Sequence, residues 1–254
     1  MGTKSKRLYQ DIINRLNKTK NHKINIFTLG YIQDLTKKYP FQKIVLGDCN
    51  RKRMLITGGI HGNEPSGVET ICSFLENAKY KPFMNEWEIT FIPCINPYGY
   101  EHNTRENQDN KDLNRLFKDK HPPLEVQLIK SIFKPYYFDA TIELHEDIDS
   151  CGYYLYYKSI LPNENVIGLN IIKAVEKIIP INLNKSIDNM PAENGVIERI
   201  KNINQMEWWP MAGYSLHMKS GHCLTLETPT RLPIARRVNA HLAALECVLN
   251  HCSQ

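Results

Sequence analysis

Arg53-Met54-Leu55-Ile56-Thr57-Gly58-Gly59-Ile60-His61-Gly62-Asn63-Glu64-Pro65-Ser66-Gly67-Val68 is the stretch on which the fold turns. The short apolar run from Arg53 to Thr57, closed by Gly58-Gly59, predicts a strand. Pro65 suits the first turn of a helix, and Val68, Ile71, Cys72 and Leu75 then form one apolar stripe at helical spacing. His61 and Glu64 therefore fall in a strand-to-helix turn, where the glycines let the backbone bend sharply enough for both side chains to face one cation. A His and a Glu three apart are common by chance, so the pair needs a third ligand from elsewhere.

Upstream of this stretch, Leu8, Ile12, Ile13 and Leu16 predict an amphipathic helix over 5–18. Strands are predicted at 24–29, 43–46, 88–94, 140–144, 153–157 and 222–226, and helices at 123–134 and 163–178. A long final helix is predicted over 234–252, where Ile234, Val238, Leu242, Leu245 and Leu249 step by three and four. Residues 181–221, with Asn194-Gly195 and Trp208-Trp209-Pro210, read as loops around a pocket. Tyr153, Tyr154, Tyr156 and Tyr157 should alternate between the faces of a strand, most of them packing. The order is mixed α/β in one domain over 1–254, with residues 1–50 a basic helix and strands leading into the core.

An apolar content of 42% and a charged content of 23% suit a globular enzyme and exclude a disordered chain. The basic start, Met1 to Arg7, is followed by Leu8-Tyr9-Gln10-Asp11 rather than an apolar signal core, and no run reaches membrane-spanning length, so a cytoplasmic protein is expected. Seven cysteines without a CxxC pair argue against a disulfide framework, and most should be buried thiols. Residues 1–53 carry 13 Lys and Arg against 3 Asp and Glu, a solvated basic face. No nucleic-acid-reading motif accompanies it.

Three residues share one topological address: His61 follows a strand, His145 in Thr141-Ile142-Glu143-Leu144-His145 ends one, and Glu227 ends another. In open α/β sheets such positions converge outside the carboxyl ends of the strands. Two imidazoles and one carboxylate, with a fourth position left open, are what catalytic zinc needs.

His61-x-x-Glu64, Arg105-x-Asn107, Asp112-Leu113-Asn114-Arg115-x-Phe117, His145 and Leu226-Glu227-Thr228-Pro229 occur in one order across residues 58–229. In that set the chain resembles the carboxypeptidase A-like zinc carboxypeptidases, as a compact bacterial-type member. The resemblance implies a central mixed β-sheet flanked by helices on both faces, and one Zn²⁺ per chain on His61, Glu64 and His145. It implies Glu227 as general base and Arg105 facing the developing oxyanion. Asn114 and Arg115 would bind the substrate's free α-carboxylate, and Asp112 would fix the tautomer of His61. A phenol near the leaving group is expected as well, assigned to Tyr214. Asn110 stands where the family often has glycine, which a left-handed backbone would accommodate.

The implied activity is release of the last residue from peptide or protein C-termini, with neither nucleic acid nor membrane as partner. An aspartoacylase- or succinylglutamate desuccinylase-like amidohydrolase acting on small N-acyl amino acids shares the same motifs. It ranks second here because only residues 228–254 follow Glu227. An inactive carboxylate-binding module ranks third, since Glu227 is intact.

Overall fold

In the computed structural model, residues 7–47, 52–135, 137–161, 166–198 and 202–252 are described. Cys49 and the first residues of the helices expected from 5 and 163 lie outside them. The chain begins with α1 (Tyr9–Thr19), the hairpin β1 (Ile24–Gln33) and β2 (Lys38–Leu46), then β3 (Lys52–Gly58) and α2 (Pro65–Glu76). β4 (Trp87–Ile92), α3 (Pro97–His102), α4 (Leu124–Phe133), β5 (Ala140–Asp147), β6 (Tyr154–Ser159) and α5 (Val166–Val175) follow. Short strands β7 (Ser186–Ile187), β8 (Met190–Pro191) and β9 (Val196–Glu198) precede α6 (Met211–His217), β10 (His222–Pro229) and α7 (Ile234–His251).

Eight strands form one mixed sheet in the order β1-β2-β4-β3-β5-β10-β6-β9. Its centre, β4-β3-β5-β10, is parallel, and β2 and β6 flank that block antiparallel. Strands covered on both faces carry little polar alternation, and β4, Trp87-Glu88-Ile89-Thr90-Phe91-Ile92, is buried at every position. One face is closed by α2, α5 and α7, which pack on one another and on β5, β6 and β10. The other carries α6 against β5 and β10, with α4 at β1. The protein is thus a single α/β domain with helices on both faces of a mixed sheet, as expected.

The strand-to-helix reading of residues 53–76 is borne out. Gly62 shows why the turn tolerates no side chain, since a Cβ there would collide with the backbone of Gly99 and Tyr100. Two expectations need correction. The segment 181–221 is not only loop: it forms the 186–191 hairpin, the edge strand β9 and α6. α6 is only seven residues long and contains Gly213, too short to show a period. The expectation of mostly buried cysteines holds for only half of those described: Cys72, Cys94 and Cys223 are buried, whereas Cys151 is exposed and Cys247 and Cys252 are half-buried. None of these six forms a disulfide. No helix among the described residues is long and apolar enough to cross a membrane.

Candidate metal centre

His61 and Glu64 sit in the turn that joins β3 to α2, closed by a hydrogen bond from the Glu64 amide to the His61 carbonyl. Pro65 begins the helix, where its missing N–H costs nothing. His145 lies near the carboxyl end of β5, in register with Glu227 on the adjacent parallel β10. The three candidate ligands are all buried, and one donor atom from each lies within 4.8 Å of the others.

The carboxylate of Glu64 is the hub. Its Oε1 is 2.7 Å from His61 Nδ1 and its Oε2 is 2.9 Å from His145 Nδ1, so both imidazoles turn the same nitrogen toward one point. The amide of Glu146 also donates to Oε2 at 3.1 Å. Far from that point, His61 Nε2 meets Asp112 Oδ1 at 3.1 Å. A carboxylate on the outer nitrogen leaves the inner one unprotonated and available to a metal. The donor set therefore fits a divalent cation such as zinc, with His61 Nδ1, Glu64 and His145 Nδ1 able to chelate it.

Asp112 ties this centre to its surroundings. Its Oδ1 also accepts from the Asn114 amide at 2.9 Å, capping the helical turn Leu113–Arg115, and its Oδ2 accepts from Arg105 Nε at 3.1 Å. Arg105 Nη1 lies 3.4 Å from Glu64 Oε1, which places the guanidinium at the edge of the cluster. Asn96 holds the Arg105 loop by donating to the carbonyls of Arg105 and Glu106. The buried Asn107 organises the next turn by accepting from the amides of Asp109 and Lys111. Asn110 adopts the left-handed conformation expected of it, with φ 57°.

Asn114 and Arg115 are fastened to the first residue of α6 and to the segment before it. Asn114 Oδ1 accepts from the Met211 amide at 2.8 Å, and the Phe117 amide donates to the Trp209 carbonyl at 3.2 Å. The Arg115 guanidinium stacks 4.1 Å from the centre of the Trp208 ring. Trp208 also lines a cleft of about 450 Å³ with Asn202, Gln205, Met206 and Glu207.

Two carboxyls of the site are pushed in opposite directions. Burial raises Glu64, but the charges of His61 and His145 and their hydrogen bonds outweigh it and hold its pKa at about 2. Glu227 faces the other way: burial lifts it to about 8, opposed by His145 and assisted by Glu64, Asp147 and Asp188. For Asp112, burial is overcome by the hydrogen bond and charge of His61 and by Arg105 and Arg115, which keep it well below the usual carboxylate range.

The raised Glu227 makes the metal-free protein sensitive to alkali. Its folded pKa of about 8 exceeds the ordinary 4.5, so the stability tied to the bound proton is present below 4.5 and is lost as pH rises through 8. Glu227→Gln removes that loss. The Tm of the chelator-treated variant should pull ahead of wild type between pH 4.5 and about pH 8 and hold a constant lead above it. A gap that stays flat over this range contradicts the assignment.

Of the residues named from sequence, His61, Glu64, His145, Asp112 and Arg105 are brought together, and Glu227 stands beside His145. Tyr214 is not in a loop but on α6. Its ring packs against Phe117 at 5.8 Å and edge-on to Phe133 at 5.4 Å, with Lys130 Nζ 5.3 Å from its centre. None of these neighbours belongs to the cluster. The phenol in register with Glu227 is Tyr154, on the antiparallel β6, and its hydroxyl donates to Asp147 Oδ2 at 2.9 Å. The tyrosine alternation along this strand already contained that residue; what it lacked was the register.

Fold and site together are those of a metal-dependent hydrolase. The family model of the succinylglutamate desuccinylase/aspartoacylase catalytic domain matches residues 50–197, more than half of the chain, and the protein belongs to that family. No curated protein sequence matches it. Among solved structures, a candidate metallopeptidase from Shewanella denitrificans is similar with a TM-score of 0.79 and 21% identity, over 96% of this chain and 88% of that one. A candidate metallopeptidase from Shewanella baltica gives a TM-score of 0.77 at 20% identity, over 96% and 90% of the two chains. A metallo-carboxypeptidase from Burkholderia cenocepacia gives 0.70 at 16% identity, over 96% and 68%. At these identities the structural likeness speaks for the fold.

Proposed function

We propose that the protein is a zinc-dependent amidohydrolase that cleaves the amide bond of small N-acyl amino acids carrying a free α-carboxylate. The observation that carries this reading is the convergence of His61, Glu64 and His145 on one point beside Glu227, with Asn114 and Arg115 both tied to Asp112, the partner of His61. Family membership favours an acylated amino acid over a peptide and reverses the ranking that the short segment after Glu227 suggested. The structural likeness to metallopeptidases and a carboxypeptidase keeps C-terminal peptide hydrolysis as the second reading.

A divalent ion held by His61, Glu64 and His145 would supply Lewis acidity for activating water at neutral pH and polarising the amide carbonyl. The chain's own groups do the rest. Glu227, with its raised affinity for a proton, accepts one from the attacking water and returns it to the departing amine. Arg105, already held by Asp112, offers a fixed cation to the negative charge that develops on the carbonyl oxygen. Asn114 uses its Oδ1 on the Met211 amide, which leaves Nδ2 to donate to the substrate carboxylate beside the Arg115 guanidinium.

Arg115→Ala should cost about 1.5–3 kcal/mol of transition-state binding, roughly 10- to 150-fold in kcat/KM, for substrates with a free α-carboxylate. Carboxamide analogues should be hydrolysed equally poorly by both proteins. Equal losses on carboxylate and carboxamide substrates contradict the role. The substrate class itself is tested by rates on N-succinyl and N-acetyl amino acids beside dipeptides. Faster hydrolysis of the dipeptides supports the second reading.

A further inference from the structure

Beneath the metal centre lies a carboxylate that the mechanism above leaves unused. Glu143 is two residues before His145 on β5 and shares its face of the sheet, flanked in register by Thr57 on β3 and Thr225 on β10. It is 2% exposed, and neither of its oxygens has a hydrogen-bond partner. An unpaired carboxylate in such a place is among the most costly arrangements a core can hold, so its presence calls for a partner. Thr57 does not supply one, because its hydroxyl is directed to the Met211 sulfur at 3.8 Å.

The polar atom that faces it is His145 Nε2, which is itself buried and without a hydrogen bond, 3.7 Å from Glu143 Oε2. Closing that gap to an ordinary charge-assisted hydrogen bond takes about 0.9 Å, within reach of a small side-chain rotation. Since His145 Nδ1 faces Glu64, the Glu143 carboxylate lies across the ring from the metal donors and is not itself a ligand. The arrangement repeats on His145 what Asp112 does for His61, where the outer nitrogen also meets a carboxylate. Thr225 Oγ1, likewise buried and without a partner, lies beside Glu143 in register and can donate to its other oxygen.

We infer that Glu143 is a positioning residue for the metal: it accepts the Nε2–H of His145, fixes the ring in the tautomer that presents Nδ1, and is steadied by the Thr225 hydroxyl. This rests on the reading of His61, Glu64 and His145 as metal ligands, and its test needs no substrate. Zinc affinity is measured by competition with a chromophoric chelator for wild type, Glu143→Ala and Glu143→Gln, and the visible spectrum of each cobalt(II)-loaded protein is recorded. Glu143→Ala should bind zinc about 10- to 100-fold more weakly and shift the cobalt bands. Glu143→Gln should lie closer to wild type, because the amide oxygen accepts the same N–H. Should Glu143→Ala not fold, Glu143→Leu fills the volume with apolar atoms and carries the same expectation.

Wild-type zinc affinity and an unchanged cobalt spectrum in a folded Ala or Leu variant would overturn the inference. So would a Gln variant as weak as the Ala one. A wild-type protein that binds no zinc defeats the metal-site reading itself, a result distinct from either.

Discussion

Glu227→Gln is expected to lower turnover by about 10²- to 10⁴-fold while the protein keeps its fold and its metal. The side chain stands in register with His145 on one side and Tyr154 on the other, at the carboxyl end of β10. It is not among the three residues that could chelate the ion, so removing its charge leaves the donor set intact. On the proposed mechanism, what is lost is the proton acceptor. Burial has raised its pKa to about 8 without a cation present, and a bound cation nearby favours the ionised form. Glutamine fills the same volume and cannot take up the proton. Zinc content by atomic emission, read beside kcat, separates the two effects; a variant that loses metal and activity together would make Glu227 a ligand rather than a base.

His61→Ala has the second large effect, and it falls on the metal. Three donors holding one ion with a fourth position open is already the minimum for a catalytic site. Removing the imidazole leaves Glu64 and His145, and also deprives Asp112 of the group that its Oδ1 meets at 3.1 Å. The variant should copurify with little zinc and hydrolyse no substrate above background. Adding excess zinc should not restore wild-type rates, because the orientation of Arg105 depends on the same Asp112. Wild-type zinc content in a folded His61→Ala protein would remove His61 from the centre.

Much of this site was legible before the fold was known. The stretch from Arg53 to Val68 reads as strand, glycine turn and helix because each part obeys a local rule, and that alone fixes where His61 and Glu64 sit. His145 and Glu227 could be placed at strand ends from their apolar runs. Asn110 illustrates a finer case, since a non-glycine residue at a left-handed position was expected from the motif and found with φ 57°.

What stayed hidden depends on register and on contacts between distant segments. α3 shows no period in its six residues, although Asn96-Pro97 is a capping and helix-opening pair. Glu143 looked like one more polar residue in a strand; only the pairing of β5 with β3 and β10 reveals that it is enclosed. Chain position points to Tyr214, while the residue opposite Glu227, Tyr154, is set by the antiparallel register of β6 with β10. The stacking of Arg115 on Trp208 joins residues 93 apart and leaves no trace in local sequence.

The most direct test of the central claim is a mass-spectrometric assay of zinc-loaded protein against a panel of N-succinyl and N-acetyl amino acids, their carboxamides, and short peptides, with Glu227→Gln run in parallel. The account predicts release of free amino acid from N-acyl substrates with a free α-carboxylate, little from the carboxamides, and loss of turnover on chelation or in the variant. Wild-type protein that leaves the whole panel unchanged, or that matches Glu227→Gln on every substrate, would contradict it.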